Sequence, residues 1–127
     1  MIYGIGTDIV SIERMRSGIE RFGVKFAERI LNEIELPGYH AHLCPENYLA
    51  KRFAAKESAV KALGTGFSQG ISMRHVIVDH NELGQPKVLF IDRAAELCAE
   101  FGVGDSQLSI SDEKEYAVAF VVLLKAN

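Results

Sequence analysis

Three residues of this 127-residue chain have types and spacings suited to phosphoryl chemistry: Glu57 and Lys61 in "RFAAKESAVKALGTG", and Asp8 in "GIGTD". Two carboxylates give Mg²⁺ hard oxygen ligands while leaving coordination positions open for a substrate diphosphate. A lysine one helical turn beyond Glu57 can reach the phosphate charge, and phosphoryl transfer depends mostly on such positioning and neutralisation. Each feature alone is commonplace. A Glu–Lys pair at i,i+4 on a solvated helix contributes a few tenths of a kcal/mol, and an isolated strand Asp is usually an edge charge or a cap. The three become a site only if the first strand packs against the helix.

The surroundings of these residues are small. Gly4 and Gly6 share a strand face with Asp8, and Ala50 and Ala54 continue the helical stripe of Glu57 and Lys61. Such a strip leaves room either for a ligand or for another backbone. Gly64-Thr65-Gly66 offers more freedom than a helix stop requires, and its amides would suit a phosphate. At a helix C-terminus the macrodipole opposes an anion, so Lys61 or Arg52 would have to assist. The order of residues excludes a P-loop, and Asp8 inside the strand pattern excludes a dinucleotide-binding fingerprint.

The elements that must position these residues follow from periodicity. "IYGIGTDIV" alternates as a strand, with Gly4, Gly6 and Asp8 on one face. Ser11 caps a helical region running to about Leu36 with a break near Gly23. "LPGYHAHLCP" reads as a loop, and Pro45 opens a helix that Gly64 ends. "HVIVDH", the turn "NELGQP" and "KVLFI" make a hairpin, Asp92 to Phe101 a short helix, and "SQLSIS" and "EYAVAFVVLLK" two more strands. Interleaved helices and hairpins predict an α+β fold with a mostly antiparallel sheet on the long helix. The last strand is apolar on both faces, which in so short a chain points to a subunit interface.

Composition sets the frame: 48% hydrophobic and 24% charged residues over 127 positions predict one domain spanning residues 1–127. No apolar run is long enough for a membrane span, and no secretory signal precedes the first strand, so a cytoplasmic protein is expected. The formal charge of −3 argues against nucleic-acid binding. Within that acidic whole, Arg14, Arg16, Arg21, Lys25 and Arg29 can form a basic face. Cys44 and Cys98 lack the spacing of a zinc or redox site, and His40, His42, His75 and His80 lack partners for a metal.

"GIGTDIVSIERM", "RFAAKESAVKALGTG", the "GQP" turn and "LSISDEKEYAVAFVV" resemble, in order and spacing, the bacterial holo-[acyl-carrier-protein] synthases, the small phosphopantetheinyl transferases. The resemblance covers nearly the whole chain. It implies Mg²⁺ held by Asp8 and Glu57, Lys61 beside the diphosphate of coenzyme A, and transfer of 4'-phosphopantetheine to a serine of acyl carrier protein, releasing adenosine 3',5'-bisphosphate. The proton acceptor would be a water on the metal or a carboxylate such as Glu57. Arg52, Gly64, Thr65, Gly66 and Pro86 match positions lining the coenzyme pocket. Arg14 and Arg21, with Lys25 and Arg29, would face the acidic carrier, and the assembly expected is a homotrimer with sites between subunits. Asp112 departs from the pattern, because the family usually has His there, near the nucleotide. A non-catalytic module binding coenzyme A or carrier protein is the competing expectation, and retention of Asp8, Glu57 and Lys61 speaks against it.

Overall fold

The computed structural model describes residues 1–127. Strand β1 (Ile2–Ser11) leads directly into helix α1 (Ile12–Phe22), and the Ser11 hydroxyl accepts the Arg14 N–H at 3.3 Å, capping the first turn. Gly23, with φ +65°, separates α1 from α2 (Val24–Ile30). The helical stretch expected to reach Leu36 ends earlier, because Leu31 turns to an extended conformation. A second correction concerns "LPGYHAHLCP". Its first six residues form the short helix α3 (Leu36–Ala41), with Pro37 in the first turn, where its missing N–H costs nothing.

Helix α4 (Pro45–Leu63) has the expected bounds, closed by Gly64 in the left-handed conformation at φ +85°. A 3₁₀ turn (Met73–His75) precedes β2 (Val76–His80) and β3 (Pro86–Phe90), and α5 (Asp92–Phe101) ends at left-handed Gly102. Strands β4 (Val103–Asp112) and β5 (Tyr116–Lys125) complete the chain. The strands divide into a three-stranded sheet of order β1-β5-β4 and a separate β2-β3 hairpin, antiparallel throughout. The expected α+β architecture is present, with two sheets where a single one was anticipated.

Helix α4 is the central element, and its small residues explain how it fits. Ala50, Ala54, Ala55, Ala59 and Ser58 are all sealed from solvent. A Cβ on Gly6 would stand 2.0 Å from the Ser58 carbonyl oxygen, and one on Gly4 would stand 2.1 Å from that of Ala62. No side chain fits either gap, so glycine at both places lets β1 lie on the helix backbone. Of the two uses sequence offered for the small residues, room for a backbone is the one realised. The Ala50–Ala54 stripe is a packing surface and provides no clearance for a substrate.

The opposite face of the sheet is open. On β1, Ile5 and Ile9 are 59% and 62% exposed, and on β5 Tyr116, Val118 and Phe120 stand out alongside them, while Ala117, Ala119, Val121 and Leu123 are buried. The last strand is therefore covered on one side only within the chain.

Candidate active site

The packing of β1 on α4 brings the three sequence-selected residues together. Asp8 points from the glycine face of β1, paired across the sheet with Ala119. The Lys61 ammonium donates to Asp8 Oδ1 at 3.0 Å and to the Thr7 carbonyl at 3.0 Å. Asp8 is only 18% exposed at its side chain and Lys61 is half exposed, so the carboxylate is largely covered while the amine reaches solvent.

Glu57 stands beside this pair, partly buried and without an ion-pair partner of its own. Burial lifts its carboxyl above the usual range, the negative charge of Asp8 lifts it further, and Lys61 and Arg14 pull the other way. Two carboxylates repelling one another in partly dehydrated surroundings form a ligand set that favours a cation. No cluster of three or more His, Cys, Asp or Glu exists, so any ion here would keep most of its coordination sphere for water or substrate. The donor set fits Mg²⁺, which takes one or two carboxylates beside phosphate oxygens.

Arg14 lies close by, its guanidinium 5.8 Å from the centre of the Phe53 ring. Further along, Arg21 and Arg29 flank the half-exposed ring of Phe22 at 5.3 and 5.8 Å. Arg14, Arg21 and Arg29 are thus held against aromatic rings along α1 and α2, whereas Arg16 departs from the expected basic face and pairs with Glu13 and Glu46.

The glycine-rich turn differs from expectation. The N–H groups of Gly64, Thr65 and Gly66 all converge on the Val60 carbonyl, at 3.1, 3.3 and 3.2 Å. The Thr65 hydroxyl donates to Gly66 O, and the Ser68 hydroxyl to Thr65 O. The amides that suggested a phosphate cradle are thus committed to closing the helix. Gly64 and Gly66 still leave open space where side chains would stand.

Arg52 and Pro86 are not gathered to the carboxylate pair. Pro86 borders a groove of 580 Å³ between β3, α5 and the start of β4. The Arg52 side chain, 11% exposed, turns to Glu35 and Tyr48. Asp112 lies at the exposed end of β4 opposite Ala117. Two of the four histidines serve local structure: His42 Nδ1 accepts the Cys44 N–H, and His75 Nδ1 accepts the Ser72 N–H.

Sequence reasoning missed Lys56 and Glu35. Lys56 is wholly buried and donates to Glu35 Oε1 at 2.6 Å and to the Ile30 and Met73 carbonyls at 2.7 and 3.0 Å. One ammonium therefore ties the end of α2 and the 3₁₀ turn to α4. The only available signal was a lysine among alanines, one turn from Arg52.

Known proteins resemble this chain in sequence and fold. Residues 4–121 match the model of the 4'-phosphopantetheinyl transferase superfamily. A holo-[acyl-carrier-protein] synthase of Hamiltonella defensa is 51% identical over 122 residues, spanning 96% of this chain and 97% of that protein. The crystal structure of the holo-[acyl-carrier-protein] synthase of Neisseria meningitidis superposes with a TM-score of 0.93 at 45% identity, covering 98% of this chain and 100% of the other. The Helicobacter pylori synthase, solved in complex with coenzyme A, matches with a TM-score of 0.83 at 30% identity, covering 94% and 99%.

Proposed function

The chain belongs to the 4'-phosphopantetheinyl transferase superfamily, with the holo-[acyl-carrier-protein] synthases, and on that premise we propose that Asp8, Glu57 and Lys61 carry out Mg²⁺-dependent transfer of 4'-phosphopantetheine from coenzyme A to a serine of acyl carrier protein, supplying holo-carrier for fatty acid synthesis. The observation that carries this reading is the meeting of two carboxylates from different elements with one half-exposed ammonium, where close glycine packing seats β1 on α4.

In the reaction the serine oxygen bonds to the phosphorus nearer the pantetheine, the bond from that phosphorus to the bridging oxygen breaks, and adenosine 3',5'-bisphosphate leaves. Asp8 and Glu57 would hold the cation, which would supply charge neutralisation at the diphosphate oxygens. Lys61 exchanges its contact with Asp8 for the leaving phosphate, and its half-exposed side chain has the freedom to do so. The serine proton would pass to water or to a carboxylate such as Glu57.

Gly64, Thr65 and Gly66 act here as a wall bare of side chains rather than as amide donors. Arg14 and Arg21 receive the acidic carrier, and complementary charge speeds that encounter. The exposed apolar face of β1 and β5 supports a homotrimer in which Arg52 and Pro86, distant from the carboxylates in one subunit, serve the coenzyme in a pocket between subunits. The whole chain acts as one domain in the cytoplasm, and no helix is long and apolar enough to cross a membrane. The test is a mass spectrum of apo-acyl carrier protein after incubation with the protein, coenzyme A and Mg²⁺. A gain of one phosphopantetheine is expected, and an unchanged carrier contradicts the reading.

A further inference from the structure

Each of the two carboxylates assigned to the cation has a hydroxyl residue beside it in the chain, and the two hydroxyls reach the same atom. Thr7 precedes Asp8, and Ser58 follows Glu57. The Thr7 hydroxyl donates to the Ala119 carbonyl at 2.9 Å, and the Ser58 hydroxyl lies 3.1 Å from the same oxygen. Ala119 is the residue that pairs with Asp8 across the sheet. One carbonyl of β5 therefore meets a hydroxyl from each element that carries a carboxylate.

The two approach from opposite sides. Thr7 alternates with Asp8 along β1 and stands on the open face between Ile5 and Ile9, whereas Ser58 comes from α4, which covers the glycine face. Ser58 is sealed from solvent among Ala54, Ala55 and Ala59, where an alanine would continue the helix with no polar group to satisfy. Its single proton is shared with the Ala54 carbonyl, 2.7 Å away. The contact with Ala54 stays within the helix; the one with Ala119 joins residues 61 apart. Thr7 also offers its own carbonyl to the Lys61 ammonium at 3.0 Å, so Asp8, Glu57 and Lys61 are all tied close to this one node.

Such a tie has a task to perform, because Asp8 and Glu57 carry like charges near enough to act on each other and sit on separate elements. We infer that Thr7 and Ser58 are positioning residues which, through the Ala119 carbonyl, hold β1 and α4 in the register that keeps Asp8 and Glu57 together for a divalent cation. This rests on the assignment of Asp8 and Glu57 as cation ligands above.

Mg²⁺ alone, without coenzyme, is added to the wild-type protein, Thr7→Val, Thr7→Ser, Ser58→Ala and the double variant Thr7→Val/Ser58→Ala, and the rise of Tm with concentration gives Kd for the ion. The Mg²⁺ dependence of transfer is recorded beside it. Thr7→Val and Ser58→Ala should each raise Kd about tenfold, the scale on which groups that orient metal ligands act, with KM for coenzyme A unchanged at saturating Mg²⁺. Thr7→Ser keeps the hydroxyl and should restore the wild-type Kd. The double variant should bind about as well as the poorer single one, since losing either tie already frees one carboxylate from the other.

A wild-type Kd in both folded single variants overturns the assignment, even if their metal-free Tm falls, because the hydroxyls would then serve the fold alone. Thr7→Ser as impaired as Thr7→Val overturns it too, as do losses that simply multiply in the double variant. Should Thr7→Val fail to fold, Ser58→Ala decides alone. If the wild-type Tm does not respond to Mg²⁺, the cation reading itself fails and this inference falls with it; a wild-type response that Ser58→Ala reproduces in full sinks the inference and leaves that reading standing.

Discussion

Lys56 Nζ lies 2.6 Å from Glu35 Oε1, with side-chain exposures of 0% and 1%. Burial lowers the proton affinity of Lys56, and Glu35 restores part of it. Removing one partner strands the other charge in the core. Lys56→Met should therefore cost about 3–5 kcal/mol in chemical denaturation. The double variant Lys56→Met/Glu35→Gln, with no stranded charge, should recover more than half of that loss; no recovery would mean that the bonds to Ile30 and Met73, rather than the charge pair, dominate.

Gly6 faces backbone with no room to spare, so Gly6→Ala should destabilise by about 3 kcal/mol or more, beyond the usual cost of overpacking. Gly64→Ala meets open space and pays only for its φ of +85°, about 1 kcal/mol. Thermal unfolding of the two variants checks the order; equal losses would contradict the close helix–strand contact.

Glu57 gives a pH-dependent signature in metal-free buffer. Its carboxyl is raised chiefly by burial and then by Asp8, so the folded state holds the proton more tightly than the unfolded chain. Below the unfolded value both states are protonated and the difference is nil; above the folded value ionisation counts against folding. Glu57→Gln should thus raise Tm near neutral pH, and the gain should shrink as pH falls to about 4. A gain that grows with acidification would reverse the assigned shift.

Asp112 puts a negative charge at the exposed end of β4. If the nucleotide phosphates approach there, Asp112→His should lower KM for coenzyme A several-fold, less so at high salt because exposed charges are screened. An unchanged KM would place the nucleotide elsewhere.

Much of this was legible in the sequence because local rules coincide with the fold. Alternation in "IYGIGTDIV", Ser11 as a cap, and Pro45 and Gly64 bracketing α4 all act within a few residues of themselves. Asp8 and Glu57 could be paired because small residues flank both. What escaped depends on contacts distant in sequence. The Glu35–Lys56 link joins residues 21 apart, and neither charge announces that it is buried. The Gly64–Gly66 amides read as free because their acceptor, one carbonyl of the preceding turn, is a matter of backbone path. Helix α3 hid behind a proline and a glycine that usually mark a loop.

The central claim, that Asp8 and Glu57 hold the cation on which transfer depends, is tested most directly by titrating Mg²⁺ into the wild-type protein, Asp8→Asn and Glu57→Gln while recording both Tm and phosphopantetheine transfer. The account predicts that Mg²⁺ raises the wild-type Tm alone, and that both variants fold yet lose at least about 100-fold in turnover. A folded Glu57→Gln protein with wild-type turnover and an unchanged response to Mg²⁺ would contradict it.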